Sequence, residues 1–242
     1  MKIKNKLILL YALLFFACSN EFYNKKFNKN QNYIKVQNIK SDNKISSLIE
    51  PYDKIIYQYM KDTLCYSKYD LTKNVPESTI GNFVTDLCLH YADADICIMN
   101  KGGLRTEIYQ GYVTREKIYE LMPFENELVI LEINKETFKL LIDYIINRSG
   151  EPFSGMNIKS FKNETKVHIN DTIHIDNYFA NSTKIKILTS DYLANGGDNM
   201  NFFKKIEKKK LNLKLRDVII DYCSQIDTIK VTLDERIILN HE

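Results

Sequence analysis

Two apolar runs in this chain each lead into a Gly-Gly turn, and that pairing constrains the fold more than any other feature. The first run is Ala94-Asp95-Ile96-Cys97-Ile98-Met99, followed by Asn100-Lys101-Gly102-Gly103-Leu104-Arg105. The second is Lys184-Ile185-Lys186-Ile187-Leu188, followed by Asp191-Tyr192-Leu193-Ala194-Asn195-Gly196-Gly197-Asp198. Both runs read as strands, the first buried on both sides and the second alternating. Asn and Gly tolerate positive φ, so each paired glycine forces a sharp turn and leaves backbone amides bare. The residues beside those turns have useful chemistry. A ring such as Tyr192 can stack on a flat ligand, the Gly197 backbone allows close approach, and the Asp198 carboxylate accepts hydroxyl protons. Asn100 offers a donor and an acceptor, and Arg105 a planar fork for phosphate or hydroxyls. Either turn alone suits a plain structural corner equally well, with Tyr192 in the core. No Gly-Lys-Ser/Thr follows Gly103, which excludes a phosphate loop of the Walker kind.

The rest of the chain interleaves helices and strands, with no repeat and no heptad. Apolar spacing predicts a helix over Ser47–Met60 and a strand from Thr63 to Leu71. Ser78 caps a helix from about Ile80 to Tyr91, with Phe83, Val84, Leu87 and Cys88 inward. Thr114 caps a short helix to Leu121, ended by Met122-Pro123-Phe124. A strand over Leu128–Ile133 leads through Asn134 into a helix from about Lys135 to Asn147, stopped by Ser149-Gly150. Strands are expected at Met156–Phe161, Lys166–Ile169 and Thr172–Ile175. The last two form a hairpin about Asn170-Asp171, with His168 opposite His174. That pair reads as a polar face in preference to a metal site. A helix near Phe202, another over Lys214–Ser224 and a strand over Thr228–Leu233 complete the chain. The basic run Lys204 to Arg216 reads as a solvated helix face and loop. The class is α+β with mixed sheets, in one domain over residues 44–240.

The N-terminus supplies an address. Lys2, Lys4 and Lys6 precede the apolar run Leu7–Phe16 and then Ala17-Cys18. The run is too short to span a bilayer and has the form of a signal peptide over residues 1–17. Its Phe-Phe-Ala-Cys ending resembles a bacterial lipoprotein signal, with Cys18 as the lipidated residue. The expectation is an exported, membrane-anchored lipoprotein, periplasmic or cell-surface; ordinary secretion leaves Cys18 an incidental cysteine. Residues 18–43, rich in Asn, Lys and Ser, read as a tether in which Tyr33–Val36 has an edge-strand pattern. Removing the three lysines takes the formal charge from +3 to zero. A neutral mature chain argues against nucleic acid as the main partner. Cys65, Cys88, Cys97 and Cys223 show no C-x-x-C spacing and read mainly as core residues, with room for one bridge.

Four segments in order resemble the C-terminal domain of the 5′-nucleotidases, over roughly residues 45–238. They are Glu77–Asp86 with Gly81-Asn82-Phe83, Met99–Arg105 with Asn100-Lys101-Gly102-Gly103, Leu121-Met122-Pro123-Phe124, and Asp191–Asp198 with Ala194-Asn195-Gly196-Gly197. The resemblance implies a four-layer α/β/β/α domain that binds the nucleoside part of a substrate. It implies that Phe124 and Tyr192 sandwich the base, Asp198 holds the ribose hydroxyls, Asn100 faces the base and Arg105 lies near ribose and phosphate. Gly102, Gly103, Asn195 and Gly197 belong to the same binding loops. The family's phosphate-gripping arginine corresponds to Asn74 here, with Lys73 beside it.

The family's catalytic residues sit in a metallophosphoesterase domain with two divalent metals held by clustered Asp, His and Asn. This sequence has four histidines, no Asp-x-His and no Gly-Asn-His. The resemblance therefore implies no cofactor and no catalytic residue in this chain, and two metals in a separate metallophosphoesterase partner. The expected ligand is a nucleoside 5′-phosphate or nucleoside, and the chain alone is expected to hydrolyse nothing. One reading is the substrate-binding half of a split 5′-nucleotidase. Another is a nucleoside or nucleotide capture lipoprotein with no enzymatic partner, and a third is a decayed domain kept for surface interaction.

Overall fold

The computed structural model describes residues 42–161, 164–170 and 172–240. The signal peptide, Cys18, the tether to residue 41 and the hairpin residue Asp171 lie outside the described residues.

Helix α1 (Asn43–Met60) opens the described chain. It begins before the predicted Ser47 because the Asp42 carboxylate accepts the Lys44 N–H at 2.8 Å and caps an earlier turn. Its apolar spacing is as expected, yet no residue of α1 is buried. From Ile49 onward the chain forms one compact unit.

The elements then follow as β1 (Thr63–Ser67), α2 (Thr79–His90), β2 (Ile96–Ile98), β3 (Gly111–Thr114), α3 (Arg115–Leu121) and β4 (Glu127–Ile133). Next come α4 (Lys135–Asn147), β5 (Phe153–Ser154), β6 (Met156–Phe161), β7 (Glu164–Ile169), β8 (Ile173–His174) and α5 (Ile175–Asn181). The chain ends with β9 (Ile185–Ser190), α6 (Asp191–Ala194), β10 (Lys208–Lys214), α7 (Leu215–Gln225), β11 (Thr228–Ile229) and β12 (Ile237–Asn240). Both predicted caps form, Ser78 accepting from Gly81 and Thr114 from Lys117, and Asn134, at the expected turn, also caps its helix by accepting from Thr137.

The strands make three mixed sheets among the described residues, ordered β11-β1-β3, β10-β4-β9-β2-β5 and β12-β6-β7-β8. The five-stranded sheet is the centre. Its alternating side chains feed two cores, because successive residues of a strand point to opposite faces. Cys97, Leu128, Ile130 and Leu188 join the inner faces of α2, α3 and α7 on one side. Ile96, Ile98, Val129, Leu131 and Ile187 join α4 and the sheet of β6, β7 and β12 on the other. The α+β class and the layered arrangement with mixed sheets are as expected. His168 pairs with His174 across β7 and β8, ring centroids 5.4 Å apart. Cys65, Cys88, Cys97 and Cys223 are buried free thiols.

Several elements differ from the sequence reading. The basic run is not a helix face. Lys208–Lys214 forms β10, an edge strand on β4, and Arg216 is buried within α7. Lysines are a common way of blunting a sheet edge, so a Lys-rich strand is legible only once its partner is known. Ile175 starts α5 instead of ending a strand. The predicted strand over Thr228–Leu233 is short at Thr228–Ile229, and the final strand is Ile237–Asn240. The helix near Phe202 is a pair of 3-10 turns, Gly197–Asn199 and Asn201–Phe203.

Candidate functional site

The two Gly-Gly loops meet at one end of the central sheet. Parallel neighbours β2 and β9 carry them there, since both strands point the same way and both loops leave from their C-terminal ends. Ligand clefts in α/β sheets favour that position. A cleft of about 310 Å³ opens there, lined by Asn100, Gly102, Gly103, Arg105, Phe124, Asn126, Tyr192 and Asp198. Phe124 and Tyr192 are each less than half exposed, at 42% and 45%. Each ring is therefore neither lost in the core nor free in solvent.

Hydrogen bonds tie the walls together. Asn100 donates through Nδ2 to Asp198 Oδ2 at 2.6 Å. The Tyr192 hydroxyl donates to Asp198 Oδ1 at 2.9 Å and accepts the Asp198 N–H at 3.2 Å. Both oxygens of Asp198 thus have a donor from the protein, and Asp198 lines the cleft. Asp198 itself has φ 48°, a left-handed conformation that a short polar residue tolerates. The loop reaches it through Gly196 at φ 89°, after one helical turn, α6.

Glycine is required at specific points. A Cβ on Gly103 would lie 2.7 Å from Asn100 Oδ1. One on Gly197 would lie 2.5 Å from the Tyr192 ring, which packs against that backbone. Gly102 is less constrained, its nearest neighbours being Asn100 Nδ2 at 3.6 Å and Asp198 Oδ2 at 3.9 Å. Arg105 donates to the Gly102 carbonyl at 3.2 Å and lies 6.0 Å from the Phe124 ring centroid, within cation–π range. Asn195 does not reach the cleft. It is exposed and ends α6, its N–H turned back to Asp191 and Leu193.

A second depression, about 460 Å³, shares Gly102 with the cleft and includes Lys73, Asn74, Val75, Lys101 and Pro152. Asn74 stands there with its amide donating to Thr72 Oγ1 at 2.9 Å.

Residues outside the sequence-derived set support the site. Asn126 lines the cleft. Arg216 reaches from α7 to the Met122 and Phe124 carbonyls, at 3.4 and 3.5 Å, and pairs with Glu125. The loop bearing Phe124 is thereby fixed by a buried guanidinium. Lys214 and Arg216 together hold the Glu125 carboxyl down at about 2. Behind the other loop, the Tyr144 hydroxyl donates to the Asp198 carbonyl at 2.8 Å. Burial, then the nearby Glu151 charge, push Tyr144 up to about 12, so it remains a donor at neutral pH. Buried Glu151 accepts the Lys101 N–H at 2.7 Å and is paired with Arg148. None of these roles has a local motif; helix spacing alone makes Tyr144 and Arg216 look like ordinary surface or core positions.

Among the described residues no group of three or more His, Cys, Asp or Glu side chains converges as metal ligands would. No described helix is long and apolar enough to cross a membrane.

Comparison with known proteins gives the family and the fold. The family model for "5'-nucleotidase, C-terminal domain" matches residues 58–205. An apyrase of Tabanus yao is 22% identical over 225 residues, covering 78% of this chain and 40% of the apyrase. The fold is similar to the 5′-nucleotidase precursor of Thermus thermophilus, with a TM-score of 0.66 and 20% identity over 81% of this chain and 43% of that one. It is also similar to the NAD nucleotidase of Haemophilus influenzae, with a TM-score of 0.63 and 17% identity over 81% and 41%. The chain thus spans about two fifths of the length of these relatives.

Proposed function

We propose, from the premise that this chain belongs to the 5′-nucleotidase C-terminal domain family, that its cleft holds the nucleoside part of a nucleoside 5′-phosphate while a separate metallophosphoesterase hydrolyses the phosphate ester. One observation carries the reading. Phe124, Tyr192, Asp198, Asn100 and Arg105, drawn from three separate stretches of sequence, line a single cleft floored by Gly102 and Gly103.

The base stacks against the exposed faces of Phe124 and Tyr192, which contributes on the order of 1–3 kcal/mol per base. The ribose hydroxyls donate to Asp198, sharing its oxygens with Tyr192 and Asn100. A sugar lacking a hydroxyl leaves part of that carboxylate unmatched, so ribose is preferred over deoxyribose. Arg105 sits beside Phe124 and supplies positive charge toward the phosphate. The metals that activate water belong to the partner; this chain's residues bind, orient and hold the sugar still, which is the positional part of catalysis. The chain is anchored outside the cytoplasmic membrane through Cys18, and labelling with an alkynyl fatty acid that disappears in C18A checks it.

Titration calorimetry with purine and pyrimidine nucleosides and their 5′-monophosphates tests the cleft. Saturable binding is expected, weakened about 10- to 100-fold by F124A. An absence of binding by every nucleoside and nucleotide would sink the reading. A second reading, nucleoside capture without an enzymatic partner, draws on Asn74, whose amide is already engaged by Thr72 and which carries no charge for a phosphate. In that case a nucleoside binds as tightly as its monophosphate.

A further inference from the structure

Helix α1 carries an apolar face that nothing among the described residues covers. Ile49, Tyr52, Ile55, Ile56 and Tyr59 are each between 47% and 69% exposed, and Leu48 and Ile45 extend the same stripe. Their spacing keeps them on one side of the helix, as for a helix that packs on another element. Among the described residues, the Arg115 guanidinium lies 4.3 Å from the ring centroid of Tyr59. An exposed apolar patch of this size marks an interaction surface.

The order of residues along the helix points to the occupant. Around Tyr52 the residues of this stripe form a palindrome: Ile49 mirrors Ile55, Leu48 mirrors Ile56, and Ile45 mirrors Tyr59. Two such helices laid antiparallel, crossing at Tyr52, set each of these seven side chains against another of them, while Tyr57 and Met60 fall opposite Ser47 and Lys44. The same register sets Glu50 of one helix opposite Lys54 of the other, and these two already pair within one helix at 3.3 Å. Pro51 and Asp53, which mirror each other, stay off the stripe. A two-fold interface has this property, because residue i meets j while j meets i. We infer that α1 is a self-association helix through which two copies of this chain form an antiparallel dimer.

Charge argues against a bilayer as the occupant. Lys44 and Lys54 are balanced by Glu50 and Asp53, so α1 lacks the basic polar face that interfacial helices use. The inference does not depend on what fills the cleft, since none of the cleft-lining residues lies on α1.

Sedimentation equilibrium tests it on the chain from Ser19 onward, which contains every described element. A dimer is expected at concentrations of about 10–100 µM, and I49E or I56E should weaken it at least tenfold. Both positions are exposed, so an unchanged melting temperature confirms that the variants fold. The register has its own test. E50K and K54E should each weaken self-association, while an equimolar mixture forms a 1:1 heterodimer, since lysines at 50 and 54 of one chain then face glutamates of the other. A monomer at about 100 µM overturns the proposal. So does a dimer indifferent to I49E, or a monomer whose α1 instead binds phosphatidylcholine–phosphatidylglycerol vesicles. An E50K and K54E mixture that stays monomeric overturns the antiparallel register.

Discussion

Asp198 holds the site together at the level of single residues, because it accepts from Asn100 and Tyr192 and offers its carbonyl to Tyr144. D198A should cost at least tenfold in nucleoside affinity while purine base alone binds much as before, measured by calorimetry; a charged acceptor for hydroxyls contributes about 1.5–3 kcal/mol. Tyr192 separates two roles. Y192F keeps the ring and loses the donor to Asp198, so affinity should change by less than about fivefold, whereas Y192A should lose about 10- to 100-fold. G103A probes the position of Asn100 sterically. Its methyl would displace Asn100, 2.7 Å away, so binding should fall with the melting temperature nearly unchanged, while G102A is tolerated. Tyr192, Asn100 and Asp198 were singled out by a local signal, a turn sequence and the residues beside it, whereas Phe124 was singled out only through the resemblance to the family. Asn195 belongs to the same turn and does not reach the cleft, since local sequence sets the turn but not the direction in which each side chain leaves it.

Individual elements show where propensity suffices and where packing decides. Caps were legible from one residue each, since a Ser, Thr or Asn side chain satisfies its own helix's first N–H groups. S78A, which removes the acceptor 3.0 Å from the Gly81 N–H, should cost about 1 kcal/mol and roughly 2–4 °C of melting temperature by calorimetric scan. Strand β10 was misread because its partner β4 lies some eighty residues upstream. Its junction with α7 also sets a pH dependence. Hydrogen bonds from Lys214 and then Arg216 depress the Glu125 carboxyl from 4.5 to about 2 in the folded chain. A depressed acid contributes stability above its unfolded pKa and loses it as pH falls through the folded value. Stability should therefore decline between about pH 4.5 and pH 2. The decline should be shallower in E125Q, as read from urea midpoints across that range. Asp234, lowered by Arg236, adds a change of the same sign. Glu125 is solvent-accessible, so salt should blunt its share.

The whole molecule spans about two fifths of its relatives, and the predictions at this scale concern what it does with other chains. Alone, with magnesium, manganese or zinc added, it should release no phosphate from nucleoside 5′-monophosphates above the buffer rate in a phosphate-release assay; turnover by the pure chain would end the division of labour proposed above. Sequence by itself determined the α+β class, the capped helices, the two glycine loops and the family. The first three follow from short-range rules, namely residue period, capping and the backbone freedom of glycine, whereas the family followed from the resemblance of four motifs in a fixed order. Tertiary structure alone decided that Arg216 and Tyr144 brace the cleft shared by the loops after β2 and β9, and that Lys208–Lys214 is an edge strand. It also decided that no described residue buries the apolar face of α1. Those outcomes depend on which strands pair and which faces find a neighbour, and such long-range contacts leave no mark in any single stretch of chain.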